Sequence, residues 1–255
     1  MEDHSLYKVP GEPDTWSPLR KFTPARIALG HTGGVLPLKE TLALKLAHAH
    51  ARDAIYAKLS DSLTDQLRGF NLPLIRSESM AKNREQYLLD PGLGRMLDQA
   101  TIDISKNDPV PGGIVIIISD GLSAKAVNNH IIPLLSELIP KLQLAKLNIN
   151  SLVIVEHGRV AIADDIGDWS KADLSLILLG ERPGLTVADS LGAYLTYKPK
   201  PGLTDESRNC ISNIHPGGLS YSAAADKITY LINEAFRIGQ SGVALKDTNV
   251  DLLTE

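Results

Sequence analysis

Cysteine occurs once in this 255-residue chain, at Cys210, and aromatic residues make up only 5% of it. A single thiol excludes an intrachain disulfide framework and a cysteine-rich metal cluster, and it fits a reducing compartment. Basic charge is short as well: the formal net charge is −4. A generic binder of phosphate backbones is therefore excluded, and no nucleic-acid partner is expected. No run approaches the roughly 18 consecutive apolar residues of a membrane span. The N-terminus lacks the basic-then-apolar order of a secretory signal, so a cytoplasmic chain with no membrane association is expected. Catalytic signatures are missing too. There is no G-x-S-x-G elbow, no H-E-x-x-H, no phosphate loop and no G-x-G-x-x-G, and the seven histidines show no metal-ligand spacing. Neither a catalytic set nor a metal site is predicted.

What is present reads as an extended arm, a helical region and an α/β domain. Residues 1–22 carry Pro10, Pro13 and Pro18 and hold no regular element; Tyr7, Trp16 and Phe22 would anchor this arm on a partner. Residues 23–106 read as a helical region that docks on a partner chain. A long helix is expected from Leu38 to Gly69, with Leu44, Ala47, Ala51, Ala54, Ile55 and Leu59 on one face, and a second helix starts at Pro91. His48 and His50 diverge by about 200° on that first helix, too far to chelate one ion. The Pro/Gly-rich stretch before Ile114 opens the third unit, residues 107–255. Strands are expected at Ile114–Ile118, Leu152–Val155, Leu174–Leu179 and Cys210–Ile214, with Ala193–Tyr197 as an edge strand. Helices are expected from Ala124 to Leu138 and from Ser220 to Ile238. The fold class is thus α/β, a helical N-terminal region followed by a mainly parallel, doubly wound, Rossmann-like sheet. Asp164, Asp165 and Asp168 read as a solvated helix start.

The strand ends define a rim: Ser119 and Asp120, Val160, Glu181 to Leu185, and Asn209 to Ser212. Ligands of open α/β sheets bind at such ends. One carboxylate, backbone amides and apolar patches suit a broad ligand fringed with amides. Taken singly, Glu181 reads better as an exposed ion pair or cap and Cys210 as a small buried hydrophobe; their shared setting on the rim favours a ligand.

The segments PARIALG at Pro24, LAHAHARDA at Leu46, DPGLGRML at Asp90 and VIIISDGLSAKAV at Val115 are followed by GERPGL at Gly180 and DSLGAYLTY at Asp189. RNCISNI at Arg208 and SGVALKD at Ser241 complete the set. In this order the chain closely resembles the small (light) subunit of ethanolamine ammonia-lyase. That resemblance implies a carbon–nitrogen lyase that turns ethanolamine into acetaldehyde and ammonia with adenosylcobalamin. It implies a hetero-oligomer in which a large subunit carries the catalytic residues and this chain closes the cofactor pocket. Cobalamin contacts carry over to Val160 in GRVA, Glu181 in GERPG and Cys210 in RNC. No histidine stands in D-x-H-x-x-G, so the cofactor is expected base-on, with no cobalt ligand from this chain. The resemblance also points to the ethanolamine-utilisation microcompartment, although residues 1–22 are shorter than the extension many members carry for that packing. Two rivals stand beside this reading: an independent doubly wound enzyme, and an assembly protein that touches no ligand.

Overall fold

The computed structural model describes residues 14–31, 34–101 and 111–247; Tyr7 of the expected arm lies outside them. The core is one seven-stranded sheet in the order β2-β1-β4-β3-β5-β6-β7, built from β1 (Leu74–Ser79), β2 (Leu97–Asp98), β3 (Ile114–Ser119), β4 (Ile149–Glu156), β5 (Leu174–Gly180), β6 (Leu191–Tyr197) and β7 (Arg208–Ile214). β1, β4, β3 and β5 run parallel. β2, β6 and β7 pair antiparallel with their neighbours, so the sheet is mixed. β6, expected at an edge, lies between β5 and β7, and β7 is the edge strand on that side.

Every side chain of β3 and β5 is buried, which explains their unbroken apolar runs. One face is covered by α2 (Leu63–Arg68), α4 (Ala124–Leu144) and α6 (Tyr221–Ile238), with Leu67, Leu134, Leu138, Ile228 and Ile232 at its centre. On the other face, among the described residues, the eight-residue α5 (Ile162–Trp169) is the helix that packs, through Ile162, Ala163 and Ile166. That helix is too short to reach the whole sheet. α4 begins at Ser123, whose hydroxyl accepts from the Ala126 N–H at 3.2 Å, and runs beyond Leu138 despite Pro133 and Pro140. Burial of Leu134, Leu135, Leu138, Ile139 and Leu142 offsets the backbone bonds those prolines forgo.

The expected long helix is two. α1 (Leu38–Tyr56) ends where the Asn128 amide takes the Lys58 carbonyl at 2.9 Å and accepts from the Ser60 N–H at 2.9 Å. Arg84 Nε takes the Ile55 carbonyl at 2.6 Å. Side chains thus satisfy the backbone groups that a continuing helix would use. The stretch after Pro73, part of the region read as helical, instead supplies β1, and α3 (Arg84–Leu89) follows it. At Pro91 there is no α-helix, only a 3-10 turn over Leu93–Arg95.

Candidate functional site

Across the sheet, one row of side chains on the α5 face runs Ile75, Val153, Ile117, Ile177, Tyr194, Cys210 through successive strand pairings. The first four lie in the core under α5. Tyr194 is half-buried and Cys210 exposed, because α5 meets β7 only at its Arg208 end and leaves this part of β6 and β7 uncovered. A groove occupies the uncovered area. Its two cavities, of about 450 and 480 Å³, share Arg159, Val160 and Tyr194. Cys210, Arg95 and Arg208 line the first, Glu181, Arg182 and Leu122 the second.

The structure therefore brings Val160, Glu181 and Cys210 to one groove, by a different route from that expected for Cys210. Glu181 follows the carboxyl end of β5, and Val160 lies between β4 and α5. Cys210 sits inside β7, on the face of the sheet rather than at a strand end. Glu181 reaches that face by lying over Gly192, where a Cβ would approach its Oε1 to 3.3 Å. Its Oε2 accepts from the Ser190 hydroxyl at 2.6 Å and from the Asn213 N–H at 3.1 Å. Oε1 keeps its acceptor capacity. Burial pushes the Cys210 thiol up, Tyr194 bonds to it and pulls the other way, and the nearby Glu181 carboxylate pushes it further up. It is thus a thiol rather than a thiolate, which argues against a nucleophilic role. Burial and the Cys210 bond likewise hold the Tyr194 phenol protonated.

Below the groove, Arg208 and Asp164 form a two-point ion pair, Nη1 to Oδ1 at 2.6 Å and Nη2 to Oδ2 at 2.8 Å. Both side chains are 3% exposed. Asp164, expected to be solvated, is instead the buried anchor that holds α5 to β7. Also beside the groove, Tyr87, 1% exposed, carries the Arg84 and Arg159 guanidinium groups over its ring, 4.8 and 4.2 Å from its centre. Burial pushes its phenol up to about 12. Tyr194, Arg159 and Tyr87 were not singled out from sequence. Arg159 precedes Val160 in GRVA, and Tyr194 is two residues beyond Gly192, so strand alternation could have placed it beside Glu181.

The loop from Glu181 back to β6 is pinned by His130 on α4. Its Nε2 meets the Asp189 carbonyl at 2.8 Å, which can only accept, so Nε2 carries the proton and Nδ1 accepts from the Tyr221 hydroxyl at 2.8 Å. Burial lowers the His130 pKa against the opposing pull of Asp189, with His215 and Lys125 adding to the lowering. The unfolded chain therefore takes up this proton first on acidification. Its contribution to stability is complete above the unfolded value of about 6.5 and declines as pH falls below it toward the folded value. Unfolding free energy measured in urea should thus drop below about pH 6.5, and His130→Gln should flatten that slope. An unchanged slope would show that His130 does not titrate differently in the fold.

With this geometry in view, comparison with known proteins is decisive. The family model of the ethanolamine ammonia-lyase light chain (EutC) matches residues 13–246. The chain belongs to that family. The ethanolamine ammonia-lyase small subunit of Azotobacter vinelandii is 46% identical over 252 residues, 97% of this chain and 92% of the relative. That of Ralstonia nicotianae is 45% identical over 237 residues, 91% of this chain and 88% of the relative. The Pseudomonas aeruginosa small subunit is 44% identical over 252 residues, 97% and 92%. For a light chain of this family, two negative observations hold among the described residues. No helix is long and apolar enough to cross a membrane, and no group of His, Cys, Asp and Glu side chains could hold a metal ion.

Proposed function

We propose that the chain is the small subunit of an adenosylcobalamin-dependent ethanolamine ammonia-lyase, and that its groove closes the cofactor pocket against the large subunit. The observation that carries this reading is the shared groove of Val160, Glu181 and Cys210 on the part of the sheet that α5 leaves bare. The residues fit the group. Val160 and the Tyr194 ring offer apolar surface to a flat macrocycle, and Glu181 Oε1 offers an acceptor to amide N–H groups at its edge. When bound, the cofactor supplies radical chemistry by homolysis of its cobalt–carbon bond. This chain binds and orients it, excludes water from one side and contributes no catalytic side chain and no cobalt ligand. α4 and α5 lie on opposite faces of the parallel strands, which supports a doubly wound, Rossmann-like unit as the frame of this groove.

The docking surface for the large subunit is the helical region and the end of the arm. Leu38, Leu42 and Leu46 are exposed along one side of α1, and Trp16 and Phe22 are exposed beside the turn over Ser17–Lys21. A hetero-oligomer in the cytoplasm, packed in the ethanolamine-utilisation microcompartment, belongs to the same proposal.

The test is acetaldehyde formed from ethanolamine and adenosylcobalamin by this chain, by the large subunit, and by both co-expressed. Activity is expected only in the mixture; turnover by this chain alone would overturn the reading in favour of an independent enzyme. Within the complex, Glu181→Ala should weaken cofactor affinity by about 1–3 kcal/mol, the cost of an unmade buried hydrogen bond. Glu181→Gln keeps one carbonyl oxygen for Ser190 and Asn213 but presents a donor to the groove. It should weaken binding while leaving the urea midpoint nearly unchanged, and normal affinity in both variants would remove Glu181 from the site.

A further inference from the structure

Arg159 is fixed in the groove wall from several directions. Its backbone N–H donates to the Gly94 carbonyl at 2.6 Å, its Nη2 donates to the Tyr87 carbonyl at 2.9 Å, and its guanidinium stacks on the Tyr87 ring. Gly94 yields the space for this. A Cβ there would fall 2.8 Å from Arg159 Cγ and 3.0 Å from the His157 carbonyl. The DPGLGRML segment therefore lies against Arg159, and the next residue, Arg95, lines the same cavity beside it.

The two arginines differ from the third in that cavity. Arg208 is neutralised by Asp164 and also meets Asp205, the carboxylate of the cavity lining. Neither Arg95 nor Arg159 forms an ion pair among the described residues, and the buried Nε of Arg159 has no acceptor. In a chain of net charge −4, this is a local reversal of sign inside a concave surface. Planar guanidinium forks lining one cavity suit the oxygens of a phosphate better than neutral amides, which Glu181 serves in the adjoining cavity. The first cavity thus holds two arginines without a carboxylate partner, Arg159 reaching both cavities, while Glu181 offers its acceptor in the adjoining one.

Resting on the function proposed above, we propose that Arg95 and Arg159 bind the phosphodiester of the cobalamin nucleotide loop. That phosphodiester is the anionic group of a cofactor whose corrin edge otherwise carries neutral amides. Arg159, Val160 and Tyr194 line both cavities, so the two subsites adjoin.

The test uses the assembled complex and equilibrium binding rather than turnover. Adenosylcobinamide phosphate and adenosylcobinamide differ by the phosphate alone, so the ratio of their affinities isolates the contribution of that group. The unsubstituted complex should prefer the phosphate-bearing ligand. Arg95→Met should reduce that preference about tenfold, the usual worth of a charge-assisted hydrogen bond, with Arg95→Lys retaining part of it. Arg159→Met should do the same, and Arg95, being exposed, provides the variant that spares the fold. Equal weakening of both ligands, or an unchanged ratio, would overturn the assignment. Inorganic phosphate competing equally with both ligands would assign the arginines to a free anion and also overturn it. Failure of the unsubstituted complex to bind any corrinoid would instead overturn the cofactor reading on which the assignment rests.

Discussion

Arg208→Met should lower the unfolding free energy by about 3–5 kcal/mol, because it leaves the Asp164 carboxylate buried without its partner. The pair is 3% exposed on both sides and two-pointed, so water cannot replace the lost donors. Thr196 Oγ1 and the Leu203 carbonyl would lose their donor too, at 3.3 and 3.1 Å. The charge, rather than the packing, is at issue. Asp164→Leu combined with Arg208→Met should therefore be markedly more stable than Arg208→Met alone, since both charges then leave the interior together. Urea midpoints of the single and double variants decide this. A loss below about 1 kcal/mol for the single change would mean that the pair behaves as a surface contact.

Tyr87→Ala should cost a similar amount, about 3–5 kcal/mol, as large aromatic truncations in cores do. The ring is 1% exposed and two guanidinium groups lie over it, so its removal leaves a cavity and takes the aromatic partner from both. Tyr87→Phe keeps the ring and should cost far less, because the phenol reaches its acceptor, the Gly158 carbonyl, only at 3.5 Å. Thermal and urea unfolding of both variants separates the two contributions. Equal losses would place the energy in the hydroxyl instead of the ring.

Much of the sheet could be read from sequence because its strands are buried on both faces. Ile114–Ser119 and Leu174–Gly180 match the expected runs to within a residue. β1 was hidden for the opposite reason. Its inward positions are Ile75, Ser77 and Ser79, and Ser79 donates to the His157 carbonyl at 2.8 Å, so polar residues occupy core places and the alternation disappears. The 3-10 turn at Leu93–Arg95 was missed because its path is set by contact between Gly94 and Arg159, residues far apart in the chain. Asp164 was misplaced for a similar reason: the acid is visible in sequence, but its partner lies 44 positions away on β7. At the groove, Glu181, Val160 and Cys210 are all expected at strand ends. Cys210 instead lies inside β7, and only the shortness of α5 explains why it is exposed.

That exposure makes the chain its own reporter. With one thiol in the whole sequence, and that thiol on the groove floor, a sulfhydryl reagent can label a single known position without engineered cysteines. Because surrounding protein holds the sulfur protonated, labelling should be slow at neutral pH and accelerate as pH rises. The rate at fixed pH then becomes a clock for how often the groove is uncovered, whatever covers it.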